Sequence, residues 1–216
     1  IALFGTDGNP TLHKDGYAKF TAKYDDQGNE IEEAYFDTDG KLILCKKGFA
    51  KLISKYNSRG NKTEESYFGI DDKLALYKDG FAKFTAKYDS RGNRIEEAYF
   101  GVNDKPTFHK DGFAKRTKKY DDLGNVTEIA LFGTDGNPTL HKDGYAKFTA
   151  KYDSQGNRIE EAYFGVNDKP TFQKDGFAKS VATYDARGQL KERAYFDTDG
   201  RPTLHEDGNA KIVNKY

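Results

Sequence analysis

A repeat of 32 residues constrains this 216-residue chain more than any other feature of its sequence. Tyrosine recurs at this spacing without a slip, and a glycine precedes each of these tyrosines by eight residues. Self-similarity at one fixed period of this size is typical of repeat architectures. We therefore predict a single array of nearly seven copies over residues 1–216. Because residue 1 is Ile and the chain contains no Met, we also expect the array to be a segment of a longer protein. The repeated tyrosines are Tyr24, Tyr56, Tyr88, Tyr120, Tyr152, Tyr184 and Tyr216.

Each copy contains the pattern of a β-hairpin. In the first copy, alternating residues 18–24 and 30–36 flank the polar turn 25–29. Gly28 and its equivalents can adopt the left-handed conformation that ends a three-residue hairpin loop. If Asp25 and Asn29 close this loop, Phe20 faces Ala34 across the hairpin.

Alternation along the two strands then assigns side chains to two faces, because successive side chains of a strand point to opposite sides. The predicted core face carries the apolar set and, unusually, a glutamate. The predicted solvated face carries lysines paired with glutamate across the strands. The core set is Ala18, Phe20, Ala22, Tyr24, Glu32, Ala34 and Phe36, and the solvated set is Lys19, Thr21, Lys23, Glu33 and Tyr35.

The segment around Leu12 is apolar at one position in every copy, and proline precedes that position in five copies. Proline cannot donate a ladder hydrogen bond, so this segment is predicted to be an edge strand or irregular. A short helical turn over residues 11–15 is the alternative.

An isolated hairpin is marginally stable in water, so the copies must cover one another. We predict an all-β fold in which tandem hairpins stack as an open solenoid or superhelical array. The alternative is a closed seven-unit ring resembling a propeller, in which residues 1–4 pair with residues 210–216. A copy of 32 residues is short for the four strands of a propeller blade, which favours the open array.

Composition excludes several classes of function. Lys plus Arg and Asp plus Glu both number 35, so the basic excess typical of nucleic-acid binding is missing. No apolar run approaches the roughly 18 residues of a membrane span. Cys45 is the only cysteine, which rules out an intramolecular disulfide, and we interpret it as an incidental substitution.

The motif Tyr-Asp-x-x-Gly-Asn, as in residues 88–93 and 152–157, resembles bacterial YD repeats, the building units of RHS-type shells. The sequence Tyr-Phe-Asp-x-Asp-Gly at residues 35–40 and 195–200 is more weakly similar to the hairpin repeats of choline- and glucan-binding surface proteins. Both resemblances imply tandem β-hairpins in a bacterial protein, and they favour an extracellular or cell-surface location.

No residue pattern predicts a catalytic site, a metal site or a cofactor. Glu32 and its equivalents recur in every copy, whereas an enzyme needs one unique constellation, so we interpret this row as structural. The four histidines share one repeat position that elsewhere holds Tyr, Cys or Gln, which indicates a surface polar position. The Asp-Thr-Asp-Gly segments at 37–40 and 197–200 lack the distal glutamate of a calcium loop and are predicted to be turns. The histidines are His13, His109, His141 and His205.

A row of aromatic side chains on the predicted solvated face is the best binding candidate. Flat rings at a regular spacing can stack on sugars, although packing between lysine stems is the simpler interpretation. The sequence therefore predicts a non-enzymatic structural or interaction array, such as a surface stalk, a filament or a protein-binding scaffold. Its expected partner is a protein or a second copy bound through the open ends. Carbohydrate binding is the alternative, through Tyr35, Tyr67, Tyr99, Tyr163 and Tyr195, a row that Leu131 interrupts.

Overall fold

The computed structural model describes all 216 residues, and the chain is all-β with thirteen strands. It has no helix of the length and apolarity needed to cross a membrane. The chain divides into two compact units, Ile1–Lys110 and Asp111–Tyr216. In each unit the strands follow one another in sequence order across an open antiparallel sheet, which confirms the predicted array of tandem hairpins. The prediction of one array over residues 1–216 stays a prediction.

The first unit contains β1 (Lys19–Tyr24), β2 (Glu30–Phe36), β3 (Lys51–Tyr56), β4 (Lys62–Phe68), β5 (Lys83–Tyr88) and β6 (Arg94–Phe100). The second unit contains β7 (Lys115–Tyr120), β8 (Val126–Phe132), β9 (Lys147–Tyr152), β10 (Arg158–Phe164), β11 (Lys179–Tyr184), β12 (Leu190–Phe196) and β13 (Lys211–Val213).

Neither sheet closes on itself, and the two segments of the predicted ring pair inside their own units. The Ile1 ammonium donates to the Phe20 carbonyl at 3.0 Å, so the first residues lie along β1. At the other end, β13 pairs with β12. Both segments therefore join the strand nearest to them in sequence, which is the arrangement of an open array.

The hairpin turn forms as predicted. The Asp25 backbone N–H donates to the Asn29 carbonyl at 3.0 Å, and Gly28 has a φ of 83°. The Asp25 carboxylate accepts hydrogen bonds from the backbone N–H groups of Gln27 at 3.0 Å and Asn29 at 2.8 Å. An aspartate side chain that binds backbone two and four residues on stabilises a turn locally. The turn is thus specified by residues within the loop itself.

A β-bulge behind this turn makes the predicted hairpin register wrong. Tyr24 faces Glu30 as the loop closure requires, but the register shifts between Lys23 and Tyr24, and Lys23 faces Glu32. Ile31 is the extra residue on β2, and every pair beyond it is displaced by one. Because strand side chains alternate, this displacement exchanges the two faces of β2. The same shift occurs in the hairpins β3–β4, β5–β6, β7–β8, β9–β10 and β11–β12.

The segment that follows each hairpin is irregular. This agrees with the prediction of an edge strand or irregular segment and not with the alternative of a helical turn. Residue Phe36 forms a single bridge with Leu42, and the chain then passes over the sheet without a helix. The Ile43 N–H donates to the Tyr35 carbonyl at 3.1 Å, and the Cys45 N–H donates to the Phe49 carbonyl at 2.9 Å. This segment brings Phe49 against one face of the sheet.

The core of each unit is a continuous row of aromatic rings. Tyrosines from the second strand of each hairpin alternate with rings from the covering segments, and neighbouring centroids lie 4.8 to 5.7 Å apart in the first unit. Aromatic pairs at such distances contribute about 0.5–1.5 kcal/mol each beyond their area burial. Within each of these two rows, stacking of this kind links one copy to the next. The row of the first unit is Tyr17, Tyr35, Phe49, Tyr67, Phe81 and Tyr99; the second contains Tyr145, Tyr163, Phe177 and Tyr195.

Candidate functional site

The predicted binding tyrosines lie inside the aromatic core, so their placement on the solvated face is wrong. Tyr35, Tyr67, Tyr99 and Tyr195 are only 5–7% exposed, and Tyr163 is half-buried. The β-bulge is the physical reason, because it turns this row toward the covering segments. Glycan binding by these tyrosines stays a prediction, and it requires ring faces that the folded chain covers.

In several copies a glutamate carboxylate accepts a hydrogen bond from the buried tyrosine hydroxyl. The Tyr35 hydroxyl donates to Glu33 Oε1 at 2.5 Å, and Tyr67 donates to Glu65 in the same way. Burial raises the pKa of both phenols, and the hydrogen bond to the neighbouring carboxylate raises it further. These tyrosines therefore stay protonated as donors. The sequence had placed Glu33 in the solvent.

The glutamates predicted to form a buried row instead lie on the charged face. Lys23 Nζ is 2.7 Å from Glu32 Oε1, and Lys87 and Glu96 repeat this pair at 2.7 Å. The predicted cross-strand pairing of lysine with glutamate is thus confirmed. The glutamate that pairs is, however, the one that was expected in the core. Exposed pairs of this type contribute about 0.2–1 kcal/mol each. Further pairs are Lys55–Glu64, Lys119–Glu128, Lys151–Glu160, Lys179–Glu160 and Lys211–Glu192.

One copy replaces the tyrosine and the carboxylate together. In β8, Ile129 stands at the position of Glu33 and Leu131 at the position of Tyr35, and Leu131 is 2% exposed. Removing the acceptor and the donor at once leaves no buried polar group unpaired. This joint replacement indicates that the Glu–Tyr pair has a structural role: the ring packs in the core, and the carboxylate accepts the hydrogen bond of the buried hydroxyl.

The repeated motif tyrosine joins one copy to the one before it. Tyr24, which the sequence placed in the core, is 60% exposed. Five of its equivalents donate from the hydroxyl to the carbonyl of the residue 26 positions earlier, as Tyr88 does to Lys62 at 2.8 Å. The contact also links Tyr56 to Glu30, Tyr152 to Val126, Tyr184 to Arg158 and Tyr216 to Leu190. This contact is the tyrosine tether.

The histidines belong to the aromatic stack, so the prediction of a surface polar position is wrong for them. The His109 ring lies 4.9 Å from that of Tyr99, and the His205 ring lies 4.8 Å from that of Tyr195. His205 has a side chain that is 16% exposed. Cys45, which occupies the same repeat position, is buried as well.

The Asp-Thr-Asp-Gly segments form turns, as predicted. Gly40 donates its N–H to the Asp37 carbonyl at 3.2 Å, and the Asp37 carboxylate accepts from the N–H groups of Asp39 at 2.9 Å and Lys41 at 2.8 Å. The carboxylate is engaged by its own turn.

Each copy leaves one large apolar side chain about half exposed, at the position of Leu12. Their exposed fractions lie between 46% and 60%. Equivalent strands of adjacent hairpins are two strand spacings apart, so we estimate steps of about 9.5 Å along each sheet. This apolar row comprises Leu12, Leu44, Leu76 and Phe108 in the first unit and Leu140, Phe172 and Leu204 in the second.

The strands, turns and tethers define a tandem β-hairpin repeat protein. No family model and no curated protein matches the chain. A solved TcdB2–TccC3–Cdc42 complex is similar with 15% identity and a TM-score of 0.47, over 82% of this chain and 7% of the matched chain. The Tc holotoxin pore of Photorhabdus luminescens gives 16% identity and a TM-score of 0.48, over 85% and 7%. The chain thus spans a small part of the length of these proteins, and its membership of the YD-repeat family stays a prediction.

Proposed function

We propose that this chain is a non-enzymatic structural and interaction array, a scaffold built by repeating one interface between copies. The observation that carries the proposal is the tyrosine tether, which recurs between successive copies in both units. A surface stalk, a filament and a protein-binding scaffold are the forms that the uniform repeat and the zero net charge favour.

Other contacts between copies recur in the same way. Lys110 Nζ lies 2.9 Å from Asp79 Oδ1 of the preceding copy, and Lys142 Nζ lies 2.8 Å from Asp111 Oδ1. The aromatic rows also cross boundaries between copies, as from Tyr35 to Phe49 and from Tyr163 to Phe177. In a repeat protein of this kind, stability is approximately a sum of copy and interface contributions. A scaffold can therefore change its length by whole copies without losing its fold.

Catalysis calls for a different organisation, because it needs one constellation of groups in a unique environment. The carboxylates of this chain recur from copy to copy: strand glutamates pair with lysine on the charged face or bond to tyrosine in the core, and turn aspartates accept backbone N–H groups. This regularity supports a structural role for them.

Deletion of one period tests the scaffold. Removing residues 33–64 joins Glu32 to Glu65 and preserves the register, so the shortened chain should fold cooperatively. Because 32 of 216 residues are lost, its urea m-value should fall by about 15%. The matched control removes residues 33–63, a deletion one residue shorter that exchanges the faces of the fused strand and should unfold that region. If the in-register deletion unfolds the protein as the control does, the modular scaffold is refuted.

The apolar row is where we expect a protein partner or a second copy to bind. Sedimentation velocity over a wide concentration range should show association that Leu76→Glu weakens. A chain that stays monomeric throughout contradicts self-assembly and leaves binding of another protein. The carbohydrate alternative has no exposed aromatic row to support it, since four of its five tyrosines are buried.

A further inference from the structure

Three metal-ligating side chains converge in the last copy. One ligand atom from each of Asp175, His205 and Glu206 lies within 4.8 Å of the other two. Asp175 belongs to the preceding copy, so the cluster spans a boundary between copies inside the second unit. Its two carboxylates and its imidazole are the donor types that bind divalent transition metals.

The other copies show what normally stands at this place. All six earlier positions equivalent to Glu206 hold lysine. In the second unit Lys142 Nζ lies 2.8 Å from Asp111, and Lys174 Nζ lies 3.6 Å from Asp143. An ammonium group thus accompanies the aspartate carboxylate in these copies.

The backbone at the cluster is unchanged by this replacement. The Glu206 N–H donates to the Asp175 carbonyl at 2.8 Å, as the Lys142 N–H does to the Asp111 carbonyl at 2.8 Å. Only the charge of the side chain is reversed. The Glu206 carboxylate therefore lies near Asp175, at the position where the other copies have a lysine ammonium group. Two neighbouring carboxylates repel each other unless a positive charge lies between them.

We propose that Asp175, His205 and Glu206 form a binding site for a divalent transition metal such as Zn²⁺, which takes the place of the lysine ammonium. Zinc accepts one histidine nitrogen and two carboxylate oxygens, with water in the remaining position. Ligand atoms about 2.1 Å from a tetrahedral metal are roughly 3.4 Å apart, and the exposed Glu206 side chain can close that distance.

The surroundings of His205 suit a ligand. Its ring is held against Tyr195 at 4.8 Å and Phe177 at 5.8 Å, which limits its rotation. Nδ1 lies 3.1 Å from Asp207 Oδ2. The Asp207 backbone N–H also donates to Nδ1 at 3.1 Å. Metal binding at Nε2 requires the tautomer with its proton on Nδ1, in which that hydrogen bond is exchanged for one donated to the Asp207 carboxylate, a partner that strengthens metal binding by the imidazole.

Isothermal titration of the untagged full chain with ZnCl₂ tests the site. The wild-type chain should bind one zinc ion, and Glu206→Lys, which restores the residue of the other copies, should weaken that binding at least about tenfold. His205→Gln, which copies Gln173, should have the same effect. Calcium should not substitute for zinc, because imidazole is a poor ligand for it. Equal zinc binding by the wild type and Glu206→Lys, or none by the wild type, overturns the proposal.

The repeat also offers a gain-of-binding variant. Lys142→Glu places a glutamate beside Asp111 and His141 and should raise the stoichiometry from one zinc to two. Circular dichroism without metal verifies that each variant is folded. Thermal unfolding gives an independent readout, because zinc bound to the folded chain stabilises it. A folded Lys142→Glu chain that still binds one zinc ion refutes the claim that this triad suffices.

Discussion

The Glu33–Tyr35 pair predicts a measurable energetic coupling in the core. The Tyr35 hydroxyl donates to Glu33 at 2.5 Å, and the ring is 5% exposed. The same two positions of β8 hold Ile129 and Leu131. The double substitution Glu33→Ile and Tyr35→Leu therefore copies a combination that the chain already contains.

The two single substitutions should each leave one polar partner unsatisfied. Glu33→Ile leaves the buried hydroxyl without an acceptor, which costs about 1–3 kcal/mol. Tyr35→Leu leaves the carboxylate without its donor and removes ring packing against Tyr17 and Phe49, so we expect a loss of about 2–4 kcal/mol. In the double variant no unpaired group remains, and its destabilisation should be smaller than the sum of the two by about 1–3 kcal/mol.

Urea denaturation of the four chains, followed by tyrosine fluorescence and circular dichroism, measures this coupling. Tyr35→Phe is the control, since it removes the hydroxyl and keeps the ring packing. Single effects that add to within about 0.5 kcal/mol would show that the hydrogen bond has no role beyond packing, and the explanation of the Ile129/Leu131 replacement would be wrong.

Three further predictions concern the tether and the turns. Tyr88→Phe removes the hydroxyl that donates to the preceding copy and should cost about 0.5–1.5 kcal/mol in urea denaturation, whereas Tyr24→Phe, at an exposed position, should have almost no effect. Gly48→Ala should destabilise the protein by at least about 1 kcal/mol more than Gly28→Ala. Both glycines have a positive φ, but a Cβ at Gly48 would lie 2.7 Å from a backbone oxygen of the next copy, whereas a Cβ at Gly28 would meet no atom within 4 Å. The hydrogen bond from the asparagine amide four residues on lowers the pKa of Asp89 below 3.8. The contribution of the Asp89 carboxylate to folding stability is therefore complete above pH 3.8, and it is lost as the pH falls through the lower pKa of the folded state. Asp89→Asn, which copies the second repeat, should reduce the loss of stability in acid.

Much of the fold follows from local patterns. The hairpin turn was predictable because Asp25, Gly28 and Asn29 form its hydrogen bonds within five residues. The antiparallel, all-β array was predictable because the 32-residue period leaves no copy able to cover itself. The Lys–Glu pairs were predictable as a class, since alternation brings oppositely charged residues to one face.

The candidate sites were less predictable, because they depend on which residues meet across copies. The placement of Tyr35 required knowledge of the bulge at Ile31. The cluster at Asp175 contains residues from two copies. Its signal in the sequence was a single change, from the lysine of the other copies to Glu206. That change could be interpreted only when the structure showed the aspartate of the preceding copy beside it.

The sequence by itself determined the period, the turns and the strands, because these depend on short-range hydrogen bonding and on alternation. It did not determine which face of the second strand is buried. In β2 one face carries Glu32, Ala34 and Phe36 and the other carries Glu33 and Tyr35, so each has an aromatic ring and a carboxylate, and hydrophobicity does not select between them. The tertiary structure decided it: the bulge displaces the register by one residue, and the covering segment packs Phe49 against the tyrosine side.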